Sequence, residues 1–302
     1  MDVHLRDLRY FVAVAEELSF TAAASRLHVA QPTLSKQIRQ LETTLRAQLF
    51  ARDRRQVVLT EVGAVLVPWA RRLVADWERA RTEVADAVAA GSKTLRIGAL
   101  TSIGRELYPR VAKAFAESEP QWRLNLEAHS WDDVTAGLAD GGVDVAIVWL
   151  PVPDPDIGYH VLFTEPRWVA LPPCHRLADR NEVNFAELLD EPFIALPAEA
   201  GELREFWLAT EERAGHPVRI GREVVSTDAA FEAVASGAGV CLLAEGNVAI
   251  YRRPDIVCRP VAGVSPCQLA VAWRRGDNRS VVRAFVAACR QAAANPPSDS
   301  QR

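Results

Sequence analysis

Phe20-Thr21-Ala22-Ala23-Ala24-Ser25-Arg26-Leu27-His28-Val29-Ala30-Gln31-Pro32-Thr33-Leu34-Ser35-Lys36-Gln37-Ile38-Arg39-Gln40-Leu41 reads as two short helices with a tight break between them. Ser19 can cap the first, because its hydroxyl can accept a bond from an orphan amide of the opening turn. Ala22, Ala23 and Ala24 are small enough for another helix to approach closely. His28-Val29-Ala30 interrupts the pattern, and Pro32 suits a first helical turn, where its missing N–H leaves no bond unmade. In the second helix Leu34, Ile38, Leu41 and Leu45 fall at i, i+4, i+7 and i+11, a single apolar stripe. Pro32, Thr33, Ser35, Lys36 and Arg39 lie on the other side. Such a short, polar, basic face suits a major groove. Small residues admit the backbone, hydroxyls and Gln31 bond base edges or phosphates, and Lys36 and Arg39 attract phosphate. Taken alone, the same helix is equally an amphipathic helix with a solvated charged face.

Phe11-Val12-Ala13-Val14-Ala15-Glu16 precedes the motif, and Leu41-Glu42, Leu49-Phe50-Ala51-Arg52 and Val57-Val58-Leu59-Thr60 follow it. With these, residues 5–66 resemble the winged helix-turn-helix of the LysR-type transcriptional regulators. The resemblance implies that Thr21, Gln31, Pro32, Thr33, Ser35, Lys36 and Arg39 contact double-stranded DNA, with the helix over 31–45 as reader. Arg52-Asp53-Arg54-Arg55-Gln56, bounded by apolar segments, then reads as a β-ribbon wing. Arg52, Arg54 and Arg55 would sit at its tip, within reach of phosphate or a narrow minor groove. Two positions depart from the family pattern. Arg46 stands where glycine usually follows Leu45, and Ala30 stands where Ser or Thr usually precedes Gln31. The second removes a cap worth about 1 kcal/mol. Both bear on affinity and target sequence rather than on the activity itself.

The 302 residues leave room for two or three domains. No apolar run reaches membrane-spanning length. The charged start Met1-Asp2-Val3-His4-Leu5-Arg6-Asp7 lacks the apolar segment of a signal peptide, so a cytoplasmic protein is expected. The net charge of −4 does not itself suggest nucleic acid, but residues 1–60 hold nine Lys/Arg against six Asp/Glu. That surplus of three leaves −7 for the remainder, so the basic excess lies on the segment suspected of binding DNA. The five cysteines, Cys174, Cys241, Cys258, Cys267 and Cys289, form no C-x-x-C or zinc spacing and read as buried free thiols. Cys258 and Cys267 are the one pair to consider as a redox switch. The peroxide-sensing branch of the family carries its reactive cysteine earlier, and Leu196 to Gly201, the region to compare, has none.

Thr60 opens a helix expected over 61–89. Val62, Leu66, Trp69, Leu73, Trp77, Ala80, Val84 and Ala87 recur at spacings of three and four, a seam flanked by Arg and Glu. A 60-residue domain is too small to bury it, so the helix is read as a dimerisation helix, with packing on the chain's own C-terminal domain as the other option. In the family this linker helix dimerises, and a dimer or dimer of dimers would match a pseudo-palindromic operator. Ala90-Gly91-Ser92-Lys93 reads as a hinge. Strands are then expected at 95–100, 124–128, 143–149, 160–171, 193–196, 219–224, 239–243, 257–260 and 268–274. Helices are expected at 103–118, 131–140, 185–190, 202–213, 227–236 and 280–293. Val143-Asp144-Val145-Ala146-Ile147-Val148-Trp149 is near-continuously apolar, as in a strand buried on both faces. The expected architecture is a mainly α winged helix-turn-helix (1–60), a linker helix and hinge (61–91), and an α/β domain with a parallel core (92–294). The α/β domain would comprise two subdomains, 92–163 with 268–294, and 164–267. Residues 295–302 read as a disordered tail.

Leu95-Arg96-Ile97-Gly98, Gly142-Val143-Asp144-Val145-Ala146, His175-Arg176-Leu177-Ala178 and Ala235-Ser236-Gly237-Ala238-Gly239-Val240 fall where the family has similar phrases. The α/β region thus resembles its effector-binding domain, built like a periplasmic binding protein with a cleft between two halves. Ligands of open α/β sheets bind beyond the carboxyl ends of the strands. Thr101 and Ser102, Ser130, and Ser226 with Thr227 stand at such ends. Hydroxyls beside helix amides favour an anion such as a carboxylate, although each residue alone serves equally as a plain cap. Trp131 and Leu196 line the cleft or belong to the core. There is no Gly-x-Ser-x-Gly, no P-loop and no Gly-x-Gly-x-x-Gly after a strand, and no catalytic residue, metal site or cofactor is expected. The reading is a regulator of transcription. A small-molecule-binding protein with an N-terminal oligomerisation segment is the alternative, and an enzyme comes third.

Overall fold

Helix α1 (Leu5–Glu17) turns Leu8, Phe11 and Val14 inward. Helix α2 (Phe20–Arg26) starts at Ser19, whose hydroxyl accepts the Ala22 amide at 3.2 Å. Helix α3 (Gln31–Leu45) buries Leu34, Ile38 and Leu41 against both. Burying each of these large side chains contributes about 1.5–3 kcal/mol. Leu45, expected on the same stripe, is instead exposed, because the helix ends there and has passed beyond its neighbours. The rings of Phe11 and Phe20 close on Phe50 at 5.5 and 5.8 Å. Phe50 opens strand β1 (Phe50–Asp53), which pairs antiparallel with β2 (Gln56–Leu59), Asp53 opposite Gln56. The Glu42 carboxylate on α3 accepts the Leu49 amide at 2.9 Å and the Phe50 amide at 3.3 Å, which anchors the ribbon to the reading helix. Helix α4 (Glu61–Ser92) is capped by Thr60, whose hydroxyl accepts the Gly63 amide. Gly63 allows the close approach of α4, since a Cβ there would lie 2.2 Å from the Leu49 carbonyl oxygen. Leu66, Val67, Ala70 and Val74 pack on the N-terminal core. Leu66 thus leaves the expected seam, because a three- and four-residue spacing serves two adjoining stripes. The helix continues through Ala90, Gly91 and Ser92, and Lys93 then turns the chain at φ 49°.

This is a computed structural model; it describes residues 3–27, 29–53, 56–104 and 106–295. The chain divides into two units, Met1–Val84 and Ala85–Arg302. In the second, strands follow as β3 (Thr94–Ala99), β4 (Arg123–Ala128), β5 (Val145–Trp149), β6 (Ile157–Glu165), β7 (Arg167–Leu171), β8 (Val183–Asn184), β9 (Pro192–Ala195), β10 (Arg219–Glu223), β11 (Cys241–Ala244), β12 (Val257–Ala262) and β13 (Cys267–Arg274). The helices are α5 (Leu107–Ser118), α6 (Gly201–Trp207), α7 (Thr227–Ala235), α8 (Glu245–Val248) and α9 (Ser280–Ala294). One sheet has the order β4-β3-β5-β13-β6 and another the order β11-β7-β12-β8, with β9 and β10 paired beside them. The chain leaves the first sheet after Glu165 and returns at Cys267.

The expected parallel core is only part of this. β3 runs parallel to β4 and β5, but β13 is antiparallel to both β5 and β6, and β7 is antiparallel to β11 and β12. The chain re-enters this sheet at the same end at which it left, Cys267 opposite Glu165, so β13 runs opposite to β6. The single strand expected over 160–171 is two, divided at Pro166, which lacks a ladder donor. The helix expected over 131–140 is a succession of turns. The Asp133 carboxylate draws in the amides of Thr135 and Gly137 at 2.9 and 2.6 Å, and Ala136 and Gly137 adopt φ of 51° and 87°. This backbone lies against β3: a Cβ at Gly98 would be 1.9 Å from the Ala136 carbonyl oxygen. The expected helix 185–190 is a short 3-10 turn (Phe185–Leu188). The expected helix 202–213 ends at Trp207 and is followed by a 3-10 turn (Glu211–Arg213). All five cysteines are free. Cys267 and Cys289 are buried, Cys241 and Cys258 half-buried, and Cys174, expected inside, is exposed after Pro172 and Pro173.

Candidate functional sites

The buried trio Leu34, Ile38 and Leu41 sets the rotation of α3. Gln31, Pro32, Thr33, Lys36 and Arg39 are consequently exposed, Ser35 is half-buried, and Thr21 is exposed on α2. The Arg39 side chain lies back along the helix, its Nε donating to the Ser35 carbonyl at 3.3 Å. Gln40, one turn beyond Lys36, shares the exposed face; the i+4 spacing is the signal that would have singled it out. Ala30 makes no side-chain cap, as its methyl group requires. Arg46 adopts φ 52°, the left-handed conformation a glycine would take with less strain, and its amide donates to the carbonyls of Glu42 and Thr43. The side chain of Arg52 on β1, and the whole of Arg54 and Arg55, lie outside the described residues.

In the second unit a cavity opens between the two sheets. Its volume is about 50 Å³. Thr101, Trp131, Leu196 and Thr227, four of the residues expected near a ligand, line it. Ser102 and Ser130 do not; they tie its rims together. The Ser102 amide donates to the Tyr251 hydroxyl at 3.1 Å, and the Ser130 hydroxyl donates to the Val225 carbonyl at 3.1 Å. Trp131 belongs to cavity and core together: it is buried, and its indole N–H is taken by the Leu100 carbonyl at 3.0 Å. Trp149 on β5 meets Trp207 on α6 edge to face at 5.8 Å, and its indole N–H donates to the Thr101 hydroxyl at 3.2 Å. Phe231 stacks on Tyr251 at 5.0 Å. Ser226 caps α7 by accepting the Ala229 amide, whereas the Thr227 Oγ1 is buried without a partner. Cys241 also lines the cavity; burial, and then the neighbouring Cys258, pushes its thiol up to about 12, so it remains protonated. Trp149, Trp207, Asn247 and Tyr251 were not anticipated. They come from three separate segments, and only Asn247 and Tyr251, four residues apart, are joined by a local spacing.

Among the described residues no helix is long and apolar enough to cross a membrane. Residues 5–64 match the bacterial regulatory helix-turn-helix protein, lysR family, and residues 89–294 match the LysR substrate binding domain. The chain is 33% identical over 290 residues to the Hca operon transcriptional activator HcaR of Escherichia coli (strain K12), covering 94% of this chain and 96% of that one. A full-length OxyR variant from Pseudomonas aeruginosa is 29% identical with a TM-score of 0.52, covering 96% of this chain and all of the other. Full-length CbnR complexed with its target DNA is 26% identical with a TM-score of 0.51, again over 96% and 100%. The chain therefore belongs to the LysR-type transcriptional regulators, in which a DNA-binding helix-turn-helix is joined to an effector-binding domain.

Proposed function

We propose that this cytoplasmic regulator lays α3 in the major groove of a pseudo-palindromic operator as a homo-oligomer. Gln31, Thr33, Ser35 and Lys36 would meet base edges and phosphates, Thr21, Pro32 and Arg39 would fit the groove wall, and Arg52, Arg54 and Arg55 would grip the flanking backbone. The observation that carries this is the rotation of α3, whose buried stripe leaves the polar basic face outward. The cavity lined by Thr101, Trp131, Leu196 and Thr227 is the effector site. An effector that favours the closed arrangement of its rims shifts the population of that state by its differential affinity, and by no other means. The apolar face of α4, with Trp69 and Trp77 exposed by 61% and 54%, is the surface through which two copies associate.

The test is capture of genomic fragments by the purified protein at near-physiological salt, followed by sequencing. Enrichment of a few intergenic sites with dyad symmetry is expected. Uniform binding that vanishes with modest added salt would reject a specific operator.

A further inference from the structure

The wall of the cavity is largely aromatic: Trp131, Trp149, Trp207, Phe231 and Tyr251 contribute five rings. The edge-to-face pair Trp149–Trp207 and the stacked pair Phe231–Tyr251 both belong to this wall, and aromatic rings pack favourably against a further ring. No Lys, Arg, His, Asp or Glu is among the described residues that line it. An ion taken into such a site would lose its hydration without a counter-charge. This argues against the carboxylate that strand-end hydroxyls suggested, the more so because Ser130 bonds the Val225 carbonyl instead. Asn247 lines the cavity too, but one polar atom of the wall is both fully buried and unpartnered. The Thr227 Oγ1 is buried with no protein partner, and a hydroxyl of that kind calls for a partner that the chain does not supply. The free space of about 50 Å³ is smaller than the roughly 150 Å³ apolar cavity that takes benzene, so a single ring enters only as the rims part, and a fused system is disfavoured further.

We infer that the effector is an uncharged monocyclic aromatic molecule carrying one hydroxyl or carbonyl group. Its ring sits among Trp131, Trp149, Trp207 and Phe231, and its polar group bonds the Thr227 Oγ1. The inference rests on the reading of this cavity as the effector site.

Isothermal titration of the full chain with phenol, toluene, cyclohexanol and benzoate tests it. Phenol and toluene are expected to bind, with cyclohexanol and benzoate each weaker than phenol by about tenfold or more. Thr227→Val keeps the β-branched shape and removes the hydroxyl. It is expected to weaken phenol by about five- to tenfold and to leave toluene within about twofold. Ala230→Trp, placed on the cavity wall, is expected to abolish both while the circular dichroism spectrum is retained. Cyclohexanol or benzoate binding as tightly as phenol, an unchanged phenol affinity in Thr227→Val, or no binding by any probe would overturn the proposal. Specific DNA binding, measured separately, decides the regulator reading. DNA binding without aromatic uptake removes only this ligand class; aromatic uptake without a specific DNA site removes the operator.

Discussion

At the scale of single residues, Lys36 and Asp144 show opposite uses of charge. Lys36 is exposed on α3 and free to approach phosphate. Lys36→Ala is expected to weaken DNA binding across sequences and to reduce the slope of log affinity against log salt by about one. Fluorescence anisotropy over a salt series checks this, and an unchanged slope would place α3 away from the DNA. Asp144, with its side chain wholly buried, accepts the Arg96 amide at 2.8 Å and the Arg96 and Arg279 guanidinium groups at 3.1 and 2.9 Å. Burial works to raise its pKa, but the bonds from Arg96 and Arg279 outweigh it and hold the carboxyl below its ordinary value. A folded value below the unfolded one means that the stabilisation is complete above the unfolded pKa, about 3.9, and is lost as pH falls through the lower folded value. Asp144→Asn is expected to destabilise the second unit by about 2–4 kcal/mol at neutral pH, since both arginines keep some hydration. In urea titrations the gap from the parent protein should close below about pH 4; a pH-independent gap would rule out the charged form as its cause.

At the scale of elements, α4 carries two apolar stripes with different fates. Leu66, Ala70 and Val74 face the N-terminal core, while Trp69, Leu73 and Trp77, also one turn apart, are exposed. The outward stripe has no partner within its own unit among the described residues, and so much exposed tryptophan and leucine is costly in water. Leu73→Glu is expected to shift the protein to monomers at micromolar concentration with its helix content intact, as read by sedimentation velocity and circular dichroism. Retention of the parent's association state would move the oligomer contact elsewhere. The periodicity of α4 was legible in the sequence, but which stripe faces inward was not. A spacing of three and four describes both, and only the position of Phe11, Ile38 and Phe50 beneath the helix separates them. The turns over 131–140 were illegible for a related reason. Their apolar spacing is helical, but Asp133 competes for the backbone amides and wins locally.

At the scale of the whole molecule, regulation requires that the cavity have distinguishable open and closed states. Its rims are joined by the bond from the Ser102 amide to Tyr251, and Gly104 faces the Gly246 carbonyl so closely that a Cβ would lie 2.5 Å from it. Tyr251→Phe removes one neutral hydrogen bond, worth about 1 kcal/mol, and keeps the ring stacked on Phe231. Amide hydrogen exchange in residues 101–104 is expected to accelerate by about fivefold; an unchanged rate would show that the bond does not govern opening. A second interior network lies away from this rim. The buried Arg167 guanidinium donates to Ser265, Glu212 and the Phe206 carbonyl and lies over the Phe206 ring at 4.4 Å. Arg213 sits over Phe193 at 4.5 Å. Neither arginine was foreseen, because an arginine reads as surface until its partners, distant in sequence, are brought to it.

The sequence by itself determined what depends on neighbours along the chain: the helix pair with its Ser19 cap, the apolar stripe of α3, the buried strand ending at Trp149, and the ordered motifs that mark a LysR-type regulator. These follow from local propensity and periodicity, which act over a few residues. Tertiary structure alone decided what depends on segments meeting. It reversed β13 beside its exit strand and selected the inward stripe of α4. It sealed Asp144 between two arginines. It also built one aromatic cavity from rings on separate elements, leaving the Thr227 hydroxyl buried without a partner. Such features arise from contacts between residues tens to more than a hundred positions apart, whose chemistry no local pattern records.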